Sequence, residues 1–159
     1  MAARVEHDWP GRFLEDFEEG VTYEHAGGRT IESVDNAWFT LLTNNTNEVH
    51  YNSEYAAGGI HGQRLVNSCL TLAVVTGLSV AGISRNAAAN LGWEAVRLPV
   101  PVFEGDTLRA RSTVIAVRPS RSRPQVGIVT VETEGYKQDG TVVITFTRTV
   151  MVYRRDAAR

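Results

Sequence analysis

The chain is poor in the features that staple or anchor a small protein. Its 159 residues hold one cysteine, Cys69, which excludes a disulfide framework within the chain. Four histidines beside that cysteine give no cluster with zinc-ligand spacing. Charge of a single sign is lacking too: 16 Lys and Arg against 18 Asp and Glu leave a net −2. That is too little for the basic footprint of a nucleic-acid binder or for an acidic solvating tail. The longest apolar run, residues 65–81 (LVNSCLTLAVVTGLSVA), is broken by Asn67, Ser68, Thr71, Thr76, Gly77 and Ser79 and makes a poor membrane span. Residues 1–10 carry Arg4, Glu6, His7 and Asp8 with no apolar core, so they do not read as a signal peptide. No repeat, linker or low-complexity segment is visible. What remains is 43% hydrophobic and 21% charged residues, globular proportions. The length suits one domain over 1–159, and such a chain buries roughly two-thirds of its extended surface. The expectation is a cytoplasmic protein with neither a membrane nor a nucleic-acid partner.

Hydrophobic periodicity changes along the chain. In 65–81 the apolar residues cover nearly every helical direction, the mark of a buried helix. At about 1.5 Å per residue it would run roughly 25 Å. Residues 107–117, 128–136 and 141–153 alternate as strands, although Arg148 falls on the apolar face of the third. Asp139-Gly140 marks a tight turn between the last two, and 118–124 (RPSRSRP) reads as the loop before them. Residues 90–98 and 21–31 suit further strands, the latter broken at Gly27-Gly28. Val34, Trp38, Phe39, Leu41 and Leu42 predict a short amphipathic helix over 32–43, followed by a polar stretch to Asn52. This order is α+β: an antiparallel sheet wrapped round one apolar helix, with 154–159 as a loose tail.

The polar stretch is the most unusual segment. Thr43, Asn44, Asn45, Thr46, Asn47, Glu48 and His50 stand just before the buried helix, and loops on a rigid scaffold often carry reactive groups. An imidazole titrates near neutrality and suits proton transfer. A turn-forming loop whose histidine caps or packs fits the same residues. Elsewhere, Cys69 reads as an inert small hydrophobe in the helix, and His7 and His25 as surface residues. Trp38, Trp93 and Phe103 read as core or subunit contacts.

The segment Asn44-Asn45-Thr46-Asn47-Glu48-Val49-His50-Tyr51-Asn52 resembles the signature of the MaoC-like family of hot-dog dehydratases, which includes the (R)-specific enoyl-CoA hydratases. The resemblance runs on through 62–72, through 90–108 with PVFEGDTL at 101–108, and through SRSRP at 120–124. LLTNNT, LVNS and NLGWEAVRLPVPVFEGDTL look most like the branch of mesaconyl-CoA-type hydratases. The resemblance implies the hot-dog fold and a hydro-lyase adding water to a 2-enoyl-CoA or dehydrating a 3-hydroxyacyl-CoA, with a short branched or dicarboxylic acyl group. It makes His50 the general base and acid, Asn45 the water-positioning group and the Ser68 amide the oxyanion donor. Asn47, Glu48, His61, Gly62 and Asn67 are candidate substrate contacts, with Glu48 as a solvated carboxylate and His61 as a loop-facing histidine the other readings. Arg121 and Arg123, beside Arg118, match the phosphates of coenzyme A in a two-pronged bond or form a solvated arginine loop. It implies no metal or redox cofactor, coenzyme A entering with the substrate, and a homodimer or larger homo-oligomer. Two departures stand out: Asn45 replaces an aspartate and Glu48 a proline. An amide holds water but takes no proton, which keeps open a non-catalytic acyl-CoA-binding subunit. A hot-dog thioesterase is the third reading.

Overall fold

The alternating segments of the C-terminal half form long strands because each has one apolar face to bury. A computed structural model describes residues 9–157. In chain order the elements are β1 (Thr22–Glu24), β2 (Arg29–Thr30), α1 (Ser33–Leu42), α2 (Ser53–Ala57), α3 (Ser68–Ser79), β3 (Ala87–Arg97), β4 (Thr107–Pro119), β5 (Val126–Tyr136) and β6 (Val142–Tyr153). All pairings are antiparallel, in the order β1-β4-β5-β6-β3, with β2 also on β4. The turn at Asp139-Gly140 forms as its sequence predicts, with Gly140 at φ +86°.

The sheet curls round α3, the hot-dog arrangement. Around the first half of the helix, Leu70 and Val75 pack with Ile31, Leu108, Val143, Ile144 and Phe146. Towards the other end Ile83 joins Leu14, Phe17, Val114, Val129, Val131, Val150 and Val152. Gly135 allows the close approach: a Cβ there would stand 2.5 Å from Val75 Cγ2 and 2.6 Å from Ile144 Cγ2.

Several sequence expectations change in three dimensions. The helix begins at Ser68, because Leu65 bridges to Phe103 and the Val66 N–H donates to the Val102 carbonyl at 3.0 Å. After Ser79 it widens into a π turn over Val80–Ser84. Leu70, Thr71, Val75 and Ser79 are buried, whereas Cys69, Ala73, Gly77 and Val80 are exposed. Cys69 is therefore an exposed thiol, since only one side of the helix faces this chain's sheet.

The short helix α1 is inverted relative to the amphipathic reading. Its buried residues are Asn36 and Thr40, while Trp38 is 75% and Leu42 86% exposed. His25 is buried rather than superficial, its Nε2 2.8 Å from Ser112 Oγ. Arg148 is buried on the apolar face of β6, where Asn90, Ser79 and Ser84 accept its N–H groups. The tail is tied down through residue 157. Arg154 N–H donates to the Gln125 carbonyl, Arg155 pairs with Asp16, and Arg155–Ala157 forms a 3-10 turn. His7 lies outside the described residues.

Candidate active site

The polar stretch is built by successive side-chain caps. Asn45 Oδ1 accepts the Asn47 N–H at 3.0 Å, and Asn47 Oδ1 accepts the Val49 N–H at 3.3 Å. That cap opens a 3-10 turn over Glu48–His50. Asn52 then caps α2 by accepting from the Glu54 and Tyr55 amides. Asparagine suits these posts because its short side chain reaches its own backbone two residues on. Asn44 takes a left-handed φ of +57°, which asparagine tolerates better than most residues.

The turn drives His50 inwards, leaving it 8% exposed. Its Nδ1 donates to the Leu65 carbonyl at 2.8 Å, and the Leu65 N–H donates back to the Val49 carbonyl at 3.1 Å. A carbonyl can only accept, so Nδ1 carries a proton, and in the neutral ring Nε2 keeps the free lone pair. This is the tautomer a general base at Nε2 requires.

Leu65 also helps to line a cavity of about 200 Å³ together with His61, Val66, Ser68, Thr71, Leu98, Val100, Pro101 and Val102. Ser68 opens α3. Its N-cap, Asn67, accepts the Cys69 N–H at 2.9 Å, and among the described residues the Ser68 N–H has no acceptor. A free amide at a helix start favours negative charge. The cavity thus has a helix N-terminus in its wall and the carbonyl-held His50 behind Leu65.

Of the sequence-expected residues, Ser68 and His61 line this cavity, and His50 joins its wall through the Leu65 carbonyl. The His61 ring stands edge-on to Phe103 at 5.6 Å. Asn45 is half-buried in its own loop. Asn47 is spent on its cap. Glu48 departs most clearly from a shared face with His50: two residues apart share a face on a strand but not in a 3-10 turn. Glu48 points outward and accepts from Asn52 Nδ2 at 3.3 Å. Gly62, at φ +65°, is an exposed turn residue before the cavity. Asn67 is buried with its polar atoms engaged, Nδ2 donating to Thr40 Oγ1 at 3.1 Å.

Arg121 and Arg123 do not join their own chain's cavity. They lie in the β4–β5 connection, where Pro119 pairs with Gly127, whereas the cavity adjoins the segment before the start of β4. The 13 residues of β4 separate the two ends by roughly 40 Å of strand. Arg118 and Arg121 instead line a separate hollow of about 440 Å³ with Ser120, Ser122, Ile128 and Met151.

Two residues that matter here escaped the sequence reading. Asn36 on α1 reaches the backbone of this site, and Thr40 accepts from the Asn67 side chain. Their spacing of four places them on one helical face, the one signal that could have pointed to them.

Comparison with known proteins agrees with this architecture. The family model described as mesaconyl-CoA hydratase matches residues 1–159. A mesaconyl-CoA hydratase of Cereibacter sphaeroides is 38% identical over 148 residues, covering 93% of this chain and 43% of that protein. The chain therefore spans less than half the length of that relative. A solved MaoC domain protein dehydratase from Chloroflexus aurantiacus superposes with a TM-score of 0.87 at 35% identity, over 98% of this chain and 43% of that one. A Mycobacterium tuberculosis protein described as a double hot-dog fold matches at a TM-score of 0.83 and 21% identity, over 94% of this chain and 46% of that one, a likeness of fold alone. With a family-model match along its whole length and a relative 38% identical over 93% of it, the chain belongs to the mesaconyl-CoA hydratase family of MaoC-like hot-dog proteins.

Proposed function

We propose that the chain is a hydro-lyase that adds water reversibly to the double bond of a 2-enoyl-CoA, the acyl group being short and branched or dicarboxylic. The observation that carries the reading is His50, protonated at Nδ1 by its bond to the Leu65 carbonyl, behind a cavity whose wall holds the free Ser68 amide. The name of the Cereibacter sphaeroides relative supports the same chemistry.

In this reading a water oxygen forms a bond to Cβ while His50 Nε2 takes its proton. The π pair moves through Cα to the thioester oxygen, where the Ser68 N–H stabilises the developing charge. His50 then returns the proton to Cα, so water is added with no net change in the enzyme. Asn45 positions the water, His61 and Gly62 frame the approach of the substrate, and Asn67 caps the helix that carries the Ser68 amide. No metal or redox cofactor takes part; coenzyme A arrives as part of the substrate. A reducing compartment, the cytoplasm, suits an exposed lone thiol.

The working form is a homodimer or larger homo-oligomer joined along β3. That strand is a sheet edge with Leu91 and Trp93 exposed, and the exposed side of α3 adjoins it in the chain. Arg121 and Arg123 then face the coenzyme A phosphates of an adjoining copy, guanidinium matching phosphate in a two-pronged bond.

The test follows the loss of enoyl-thioester absorbance with crotonyl-, mesaconyl-, itaconyl- and a medium-chain 2-enoyl-CoA. Wild type should turn over at least one, and His50→Ala should lose 10² to 10⁴ in kcat, the usual weight of a general base. Equal rates in both proteins would remove His50 from the chemistry. Release of free thiol from acyl-CoA would move the assignment to a thioesterase, and binding without turnover to a non-catalytic subunit.

A further inference from the structure

Asn36 is fully buried in α1, and each half of its amide is engaged. Nδ2 donates to the His50 carbonyl at 2.8 Å, to the Leu65 carbonyl at 3.1 Å and to Glu104 Oε1 at 3.3 Å. Oδ1 accepts the Asn67 N–H at 2.9 Å. An NH₂ group has two hydrogens, so three acceptors around it require one to be shared. Arg64 holds Glu104 in place at 2.7 Å and reaches Ser33 Oγ at 2.6 Å. One turn further along α1, Thr40 Oγ1 receives Asn67 Nδ2.

These bonds converge on the site's two functional atoms. The Leu65 carbonyl that fixes the tautomer of His50 receives both His50 Nδ1–H and Asn36 Nδ2–H, one for each of its lone pairs. Asn36 also holds the main chain of His50 itself and of Asn67, the cap that precedes the Ser68 amide. The helix turns Trp38, Leu41 and Leu42 to solvent to make these contacts. That orientation runs against hydrophobic burial, and the bonding of the polar face offsets it.

We infer that Asn36 is the positioning residue of the site: it locks the carbonyl that keeps His50 protonated at Nδ1 and ties that base to the N-terminus of α3. The assignment of a kinetic role rests on the hydro-lyase reading; the tautomer lock does not.

The test therefore has two arms. Long-range ¹⁵N–¹H spectra of full-length protein, with the His50 signals assigned by their loss in His50→Ala, report which ring nitrogen carries the proton. Wild type should show the Nδ1–H form. Asn36→Leu, which removes all four bonds, should show a mixture of both tautomers. If Asn36→Leu does not fold, Asn36→Gln, which displaces the same amide by a methylene, carries the comparison. In the kinetic arm kcat should fall about 10- to 100-fold, the scale of a small misplacement of a catalytic group, with KM within about threefold. A folded variant that keeps the pure Nδ1–H form overturns the inference, whatever its melting temperature. A silent wild type in the activity assay would sink the hydro-lyase reading and leave the spectra to decide the role of Asn36.

Discussion

His25 shows how far a single residue's setting can depart from its sequence context. In the chain it stands between Glu24 and Ala26 in a polar stretch; in the fold it is buried, bonded to Ser112 Oγ, which meets Thr133 Oγ1 at 2.8 Å. Burial lowers its pKa below the ordinary 6.5, the nearby Arg12 guanidinium lowers it further, and Glu24 opposes both. The unfolded chain therefore binds this proton at a higher pH than the folded one. Between the two pKa values the unfolded state holds more protons, so stability rises with pH there. The contribution is complete above about pH 6.5 and is lost as the pH falls through the folded value. Urea midpoints should drop between pH 7.5 and pH 5, and the drop should be smaller in His25→Gln. Identical drops in the two proteins would take His25 out of the acid response.

At the scale of elements, the long strands were the most legible part. Alternation over 107–117, 128–136 and 141–153 is a local property that a pleated sheet reads directly: β4 and β5 each extend their segment by two residues, and β6 starts one residue later than its own. The helices were harder. Apolar residues on one side of α1 say that the helix is two-faced, not which face turns inward. Here the inward face has polar partners waiting for it in Leu65, Asn67 and Glu104. The seat of α3 depends on glycine in β5, a tertiary demand invisible in the strand's own pattern. Gly135→Ala would push a methyl into Val75 and Ile144 and should cost about 1–3 kcal/mol, the usual penalty of overpacking. Urea denaturation with an unchanged m-value would measure it. An unaltered midpoint would mean that α3 shifts freely.

For the whole molecule, the decisive feature is the unfinished edge. β3 ends the sheet with one side unpaired among the described residues, and Leu91 and Trp93 are half-exposed on it. Open apolar edges invite pairing with another chain, and a two-fold axis closes such a contact without leaving a new edge. Light scattering at micromolar concentration should give twice the chain mass or a multiple of it. Leu91→Lys, which places a charge on the edge at an irregularity of the β3–β6 register, should shift the population towards monomer with an unchanged far-UV spectrum. A wild-type protein that remains monomeric would remove β3 as the interface. No helix among the described residues is long and apolar enough to cross a membrane.

The sequence by itself determined the order of elements, the antiparallel sheet and the unusual loop around His50, because periodicity, turn chemistry and a run of capping asparagines are local properties of the chain. Tertiary structure alone decided which face of α1 is buried, and that Arg121 and Arg123 stand at the opposite end of the sheet from the cavity. It also decided that an asparagine on α1 reaches the backbone of both His50 and Asn67. These depend on contacts between residues 14 to 68 apart in the chain and on strand register, neither of which is written in any local window of the sequence.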